Sequence, residues 1–209
     1  MKFKLNKIIK YLIFSDLIFY SGWGLVTPIF AIFIVNNIQE GSVLVVGMAS
    51  AIFWILKSIL RIPFGIFLDS HKGEKDDYFF TVFGLFIASL IPFGYIFSKF
   101  PWHIYILQAI YAIGMSMSLS GWSAIFTRHI DKGKESTEWG ISATAYGIGA
   151  GIAAAVGGLA VSKFGFNPVF IVVGIMGLIG VALLLFIKNQ IKGFDGNNIF
   201  NLKEIFQKE

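Results

Sequence analysis

The chain has 209 residues, of which 56% are hydrophobic and 14% are charged, and its formal net charge is +5. Its mean hydropathy is +0.75. Soluble domains are about 45–50% apolar and about 25% charged, so this composition excludes an ordinary soluble domain, a disordered chain and a collagen-like repeat. The absence of cysteine excludes thiol catalysis, iron–sulfur clusters and thiolate zinc sites. We therefore expect an integral membrane protein.

Six apolar runs are long enough to cross a bilayer as helices of about 20 residues. They cover residues 11–35, 43–68, 78–97, 102–126, 139–161 and 166–187. Short polar or turn-forming segments separate them. The first run is too long for a signal peptide, and no small-residue cleavage site follows it. The predicted fold class is therefore an all-α integral membrane protein with six transmembrane helices.

The basic residues outside these runs predict the orientation. Lys and Arg are concentrated at both termini and in segments 69–77 and 127–138, whereas the opposite loops carry only Lys99 and Lys163. Because cytoplasmic loops are rich in Lys and Arg, we expect both termini to be cytoplasmic and the protein to lie in the plasma (inner) membrane. The positive charge is then a topology signal, and we expect no nucleic-acid partner.

Three domains follow from this arrangement: a basic cytoplasmic N-terminus (1–10), the six-helix transmembrane domain (11–187) and a cytoplasmic tail (188–209). In the tail, apolar residues between 199 and 206 recur at helical spacing with lysines between them. This pattern predicts an amphipathic helix on the membrane surface. A frayed linker is the alternative.

Three charged side chains lie inside the predicted spans: Asp16, Lys57 and Arg61. At 1.5 Å per residue they are about 9, 18 and 12 Å from the cytoplasmic ends of their helices. An unpaired charge there costs roughly 2.5–3.5 kcal/mol, so we expect an ion pair between Asp16 and Arg61. Lys57 is left as a deep cation that suits an anionic or carbonyl-bearing substrate, with Asp16 as a group that couples protons to transport. Alternatively, the ion pair only fixes helix packing and Lys57 extends towards an interface.

The fourth and fifth spans carry polar and small residues in regular patterns. The fourth span has a polar set that predicts a cavity-lining face, although a single serine commonly bonds its own backbone: Gln108, Ser116, Ser118, Ser120, Trp122 and Ser123. Glycines of the fifth span predict close helix packing: Gly147, Gly151, Gly157 and Gly158.

The end of the second span and the segment after it contain Gly65, Asp69 and Gly73, with Lys72 and Lys75 on either side of Gly73. This stretch resembles the signature of the major facilitator superfamily between helices 2 and 3, which has a Gly, an Asp four residues on, and a Gly followed by basic residues. Ser70 stands where that family usually has Arg. The resemblance implies that Gly65, Asp69 and Gly73 form part of a cytoplasmic gate. It also implies that Asp69 pairs with Arg128 at the end of the fourth helix.

Two further segments extend the resemblance over nearly the whole chain. The segment from Gln108 to Gly114 is similar to the pattern of helix 4, with Gln108 in place of the Arg that the family associates with proton coupling. Residues 149–158 resemble the antiporter motif of helix 5, with Ala154 at its proline position. The chain is similar to the N-terminal half of these transporters, which implies two inverted repeats of three helices each.

The resemblance implies a secondary transporter of a small solute that works by alternating access. Since the family has two six-helix halves, we expect a homodimer to complete the cavity. Its lining would include Asp16 and Gln108, with Lys57 and Arg61 from the second span and Trp122 as a further candidate. Proton coupling, a separate partner half and a non-transporting membrane scaffold stay open as alternatives.

An enzyme is not expected. The fourth span contains Ser118 and Ser120 before Gly121, similar to the nucleophile motif of intramembrane serine proteases. Such a nucleophile needs a histidine base, and the sixth span contains no histidine. We expect neither a metal nor a cofactor, and the expected partners are membrane lipid, the solute and a second copy of the chain.

Overall fold

Helices make up almost all of residues 5–71 and 73–191, which are the residues that the computed structural model describes. Within this part there are seven α-helices: α1 Lys7–Val26, α2 Phe30–Asn37, α3 Val43–Ser70, α4 Lys75–Ile96, α5 Pro101–His129, α6 Glu135–Phe164 and α7 Phe166–Leu185. A 3₁₀ turn at Thr27–Ile29 joins α1 to α2, so these two helices form one span. A second 3₁₀ turn, Lys188–Gln190, follows α7.

Six helical segments are long and apolar enough to cross a membrane: Lys7–Asn37, Val43–Ser70, Lys75–Ile96, Pro101–His129, Glu135–Phe164 and Phe166–Gln190. This confirms the predicted fold class. Local signals set several boundaries. Ser42 caps the start of α3 by accepting a hydrogen bond from the amide of Val45 (3.4 Å), and Pro101 occupies the first turn of α5, where its missing N–H leaves no bond unmade.

The helices pack in a pattern that repeats between the first three and the last three spans. α1 packs on α6 and α7, α5 packs on α3 and α4, and α4 packs on α7. Exchanging α1, α3 and α4 with α5, α6 and α7 reproduces the same set of contacts. This is the relation expected of two three-helix repeats.

The two ends of the bundle are tied by loop contacts. At the end where α1 begins and α5 ends, called the basic end here, the Asn6 side chain donates to the carbonyl of His129 (3.5 Å). At the opposite end, the amide of Gln39 donates to the carbonyl of Lys99 (2.8 Å). The basic residues Lys2 and Lys4 and the predicted tail helix beyond residue 191 lie outside the described residues.

α3 and α6 are the least buried of the six spans, because each packs mainly on one other helix. α3 has an exposed aliphatic stripe at helical spacing: Leu44, Met48, Ile55, Ile59, Ile62 and Ile66. A second stripe, called the polar stripe here, lies on another side of α3 and contains small and polar residues with one tryptophan: Gly47, Ser50, Trp54, Ser58, Arg61 and Gly65. The aliphatic stripe suits lipid, whereas the polar stripe does not.

Candidate functional site

Lys57 lies at mid-height in the bundle. It is about 20 Å from either end of α3 at 1.5 Å per residue. Its ammonium Nζ lies 3.6 Å from the ring centroid of Trp54 and 4.7 Å from that of Phe53. These cation–π contacts stabilise the ammonium within the helix surface, but they leave its positive charge in place. The ammonium stays within about one helical turn of the Lys57 backbone, so it reaches neither end of the helix.

Arg61 lies one turn closer to the basic end, on the exposed polar stripe. Its Nη2 donates to the hydroxyl of Ser123 on α5 (3.2 Å). The predicted ion pair with Asp16 is wrong for this structure: among the described residues Arg61 forms no salt bridge. The reason is the helix arrangement, since α3 packs along α5 and not along α1.

Asp16 is at the same level as Arg61, about 14 Å from the start of α1. It is partly exposed, and its carboxylate has no salt bridge or hydrogen bond within the described part of the chain. Tyr20, one turn along α1, is within electrostatic range of both Asp16 and Arg61. The two charges therefore belong to one polar layer without neutralising each other directly.

Two of the serines of α5, Ser116 and Ser120, join it to α3, and Ser120 also lines a groove between the two helices together with Ser123. The Ser116 hydroxyl is within donating distance of the Lys57 carbonyl (3.0 Å) and of the Ala112 carbonyl in its own helix (2.7 Å). The Ser120 hydroxyl approaches the Arg61 carbonyl (3.5 Å). These contacts fix the backbone of α3 at the two positions that carry the cations.

Gln108 and Trp122 are both buried in the described structure. Gln108 is 7% exposed, and its amide makes no hydrogen bond with any described residue. Trp122 stacks on Phe126 (ring centroids 4.5 Å apart) and meets Trp139 edge-on (5.7 Å). Its indole N–H has no hydrogen-bond partner among the described residues. Both side chains thus keep unpaired polar groups inside the bundle.

A stack of three aromatic rings lies next to Lys57, on the side away from the basic end. The Trp23 ring stacks on Tyr111 (4.3 Å, 20°), and Tyr111 stacks on Phe53 (4.7 Å, 14°), so three helices contribute one nearly parallel column. Sequence analysis missed this column. The spacing of Phe53 and Trp54, four and three residues before Lys57, was the available signal, because such residues share a helix face.

At the basic end, Arg128 donates from Nη1 to Asp77 in the first turn of α4. The predicted pair of Arg128 with Asp69 is therefore not formed. The first turn of α4 lies against the last turns of α5, with Gly121 next to the Asp77 carbonyl, so Asp77 is the carboxylate within reach. Asp69 shares a groove of about 400 Å³ with Arg61, Gly65 and Arg128.

Two other features belong to the turn between α3 and α4. Gly73 adopts a φ of +111° in the turn between α3 and α4, a conformation that favours glycine. The His129 ring Nε2 lies 3.1 Å from the Glu74 carboxylate. The turn that follows α3 is thus linked to the end of α5 by the contact between Glu74 and His129.

The glycines of α6 divide into two groups. A Cβ built at Gly157 would clash with the backbone of Leu25 in α1, so Gly157 allows α6 and α1 to approach. A Cβ built at Gly147, Gly151 or Gly158 would lie in open space among the described residues. The predicted packing role therefore fits Gly157 within this chain and does not fit the other three.

Comparison with known proteins gives one family. A family model described as Major Facilitator Superfamily matches residues 12–197. No curated protein matches the sequence.

Proposed function

The chain belongs to the Major Facilitator Superfamily, and we propose that it carries a small anionic solute as a parallel homodimer. Members of this superfamily are multi-pass membrane transporters and not enzymes. The observation that carries the choice of an anion is the pair of cations, Lys57 and Arg61, on an open face of α3. We further propose that access to the solute alternates between the two sides of the membrane.

The energetics favour an anion between these two cations. A charge near the centre of a membrane costs roughly 2.5–3.5 kcal/mol on insertion scales. Here the two cations are four residues apart and interact with aromatic rings and a serine hydroxyl, none of which neutralises them. A bound anion would supply the missing countercharge. Gln108 and Trp122, with unpaired polar groups in the interior, are further candidates for solute contacts.

Asp16 is the proposed proton-coupling group. It is a partly exposed carboxylate at the level of Arg61, with Tyr20 nearby and no ion-pair partner among the described residues. Protonation of Asp16 would increase the positive charge of the layer and strengthen anion binding. If Asp16→Asn left both transport and its dependence on a pH gradient unchanged, this role would be wrong.

The homodimer is supported by the exposed faces of α3 and α6. Both helices carry glycines at which an added Cβ would meet none of the described residues, and a parallel second copy related by an axis along the membrane normal would cover them. Closed twofold dimers are also the commonest oligomers. The proposed orientation, with both termini in the cytoplasm of a plasma (inner) membrane, follows from the excess of Lys and Arg at the basic end.

A gate at the basic end is the last part of the proposal. Gly65 and Asp69 share a groove with Arg128, which is anchored on Asp77, and Gly73 lies in the turn after them. Because Asp69 has no salt bridge among the described residues, it is the group that is available for a contact formed only when the gate closes.

The transport proposal is tested with proteoliposomes on a solid-supported membrane, where movement of net charge gives a current. A pH-sensitive dye in the lumen is read in parallel, because a monovalent anion that enters with one proton carries no net charge. The panel contains acetate, benzoate, succinate, phosphate, glucose and choline. We expect a current or a luminal pH change above that of protein-free liposomes with at least one anion, and neither with choline or glucose. Lys57→Met should abolish this signal, whereas Lys99→Met, a matched change in an outer loop, should not. Native mass spectrometry in nanodiscs measures the dimer; a persistent monomer would favour a separate partner half, and no signal with any solute would favour a scaffold.

A further inference from the structure

We propose that the solute is a planar aromatic carboxylate, whose ring stacks on Trp54 and whose carboxylate is bound between Lys57 and Arg61. This inference rests on the proposed transport function and specifies its substrate class. It depends on two layers of side chains that lie next to each other on the same wall of the bundle.

The charged layer and the aromatic layer follow each other along the helices. Asp16 and Arg61 lie about 14 Å from the basic end and Lys57 about 20 Å. Trp54 and Phe53 lie about 24–26 Å from that end. A solute with its anionic group in the first layer therefore places the rest of its body against the second.

Trp54 is exposed, as are several other large side chains of α3, but its surroundings differ from theirs. The residue is 60% exposed, and it lies on the polar stripe of α3, on a different side from the aliphatic stripe that suits lipid. Ser50 and Ser58, one turn before and one turn after it on the same stripe, are short and exposed. The indole is therefore flanked by space on the helix surface, which suits a flat ring.

The aromatic column keeps this part of the wall in place. Phe53 is stacked on Tyr111 and also contacts the ammonium of Lys57, and Tyr111 is stacked on Trp23. Because the rings come from α3, α5 and α1, the position of Lys57 is fixed by three helices. Stacked aromatic pairs add about 0.5–1.5 kcal/mol beyond the burial of their area, so a ring of the solute is favoured over a saturated ring of the same size.

The charges choose an anion over a cation or a neutral ring. The Lys57 ammonium already lies over the rings of Phe53 and Trp54, and Arg61 is within electrostatic range of Lys57. A second cation would be repelled, and a neutral aromatic solute would leave both cations without a countercharge. A carboxylate meets both requirements.

The test measures binding of radiolabelled benzoate to the purified protein in nanodiscs, with three competitors. These are unlabelled benzoate, cyclohexanecarboxylate, which keeps the charge and the ring size without an aromatic face, and benzamide, which keeps the aromatic face without the charge. We expect benzoate to compete about two- to tenfold better than cyclohexanecarboxylate, by the stacking contribution converted to affinity. Benzamide should compete worse than either carboxylate.

Variants assign the effect to Trp54. Trp54→Leu should reduce benzoate to the affinity of cyclohexanecarboxylate. Trp102→Leu removes a tryptophan of similar exposure, 56%, that stacks on His103 at the other end of α5, and it should change nothing. If Trp54→Leu does not fold, Trp54→Phe should retain part of the preference, and the comparison of competitors on the unchanged protein stands alone.

The outcomes separate this inference from the transport proposal. Equal competition by benzoate and cyclohexanecarboxylate would overturn the aromatic class while leaving anion transport intact. Benzamide as strong as benzoate would overturn the role of the two cations. Absence of benzoate binding, together with a current for another anion, would overturn the substrate class alone.

Discussion

The contact between α6 and α1 at Gly157 allows a prediction whose size follows from the structure. A Cβ added at position 157 would meet the carbonyl oxygen of Leu25 first, and it would lie 2.7 Å from the carbonyl carbon and 2.8 Å from the Cα of that residue. Favourable carbon–carbon contacts begin at about 3.5 Å, so α6 would have to move by at least about 0.7 Å. The atoms that it meets are backbone and cannot rotate away. Overpacking costs about 1–3 kcal/mol, and we expect the upper part of that range.

Gly157→Ala also brings the higher helix propensity of alanine, which offsets up to about 1 kcal/mol. The net loss is then about 2 kcal/mol. Gly151→Ala is the matched control, because it is the same exchange in the same helix at a site with open space. In the monomer it should gain up to about 1 kcal/mol. The two variants should therefore differ by about 3 kcal/mol.

The assay is thermal unfolding of the monomeric fraction in detergent, followed by tryptophan fluorescence. For a chain of this size 1 kcal/mol corresponds to about 2–4 °C, so the midpoints should differ by about 6–12 °C. Equal midpoints for the two variants would refute the close approach of α6 to Leu25. A lower midpoint for Gly151→Ala than for Gly157→Ala would refute the division of the glycines of α6 into packed and open positions.

Three further predictions use other contacts. Arg128→Gln should destabilise the protein by about 3–5 kcal/mol, because it leaves the buried Asp77 carboxylate unpaired, and adding Asp77→Asn should restore much of the loss in the same unfolding assay. Ser116→Ala removes one bond to the backbone of α3 and should cost only about 0.6 kcal/mol, so a loss above about 2 kcal/mol would contradict the assignment. Because the sequence has no cysteine, Gly151→Cys should form a disulfide-linked dimer on oxidation in membranes, whereas Ile152→Cys, on the neighbouring exposed aliphatic face, should stay monomeric on a non-reducing gel.

The number and type of the helices could be predicted from the sequence because membrane spans are recognised by composition and length alone. The partner of Arg61 could not be predicted in the same way. In helices that are apolar on most sides, the hydrophobic pattern does not show which face meets which neighbour. The structure places α5 against α3, and Arg61 therefore bonds to Ser123.

The same limit explains why the predicted partner of Arg128 is wrong. Asp69 and Asp77 lie at the two ends of one short loop, and sequence spacing does not distinguish which of them meets Arg128. The first turn of α4 lies against α5 near Gly121, which favours Asp77. By contrast, the contact of Lys57 with Phe53 and Trp54 depends only on spacing within one helix, so it was predictable in principle.

The exposed glycines give the strongest argument that α3 and α6 meet another chain. Six helical glycines have open space next to them in the described structure: Gly47, Gly65, Gly140, Gly147, Gly151 and Gly158. All lie on α3 or α6, which exchange places in the pattern that relates the two halves of the bundle. A glycine inside a helix costs about 1 kcal/mol relative to alanine, so six without contacts would weaken the two helices with no return. Close approach of another backbone recovers this loss, and a second copy brings the same two helices to the same faces.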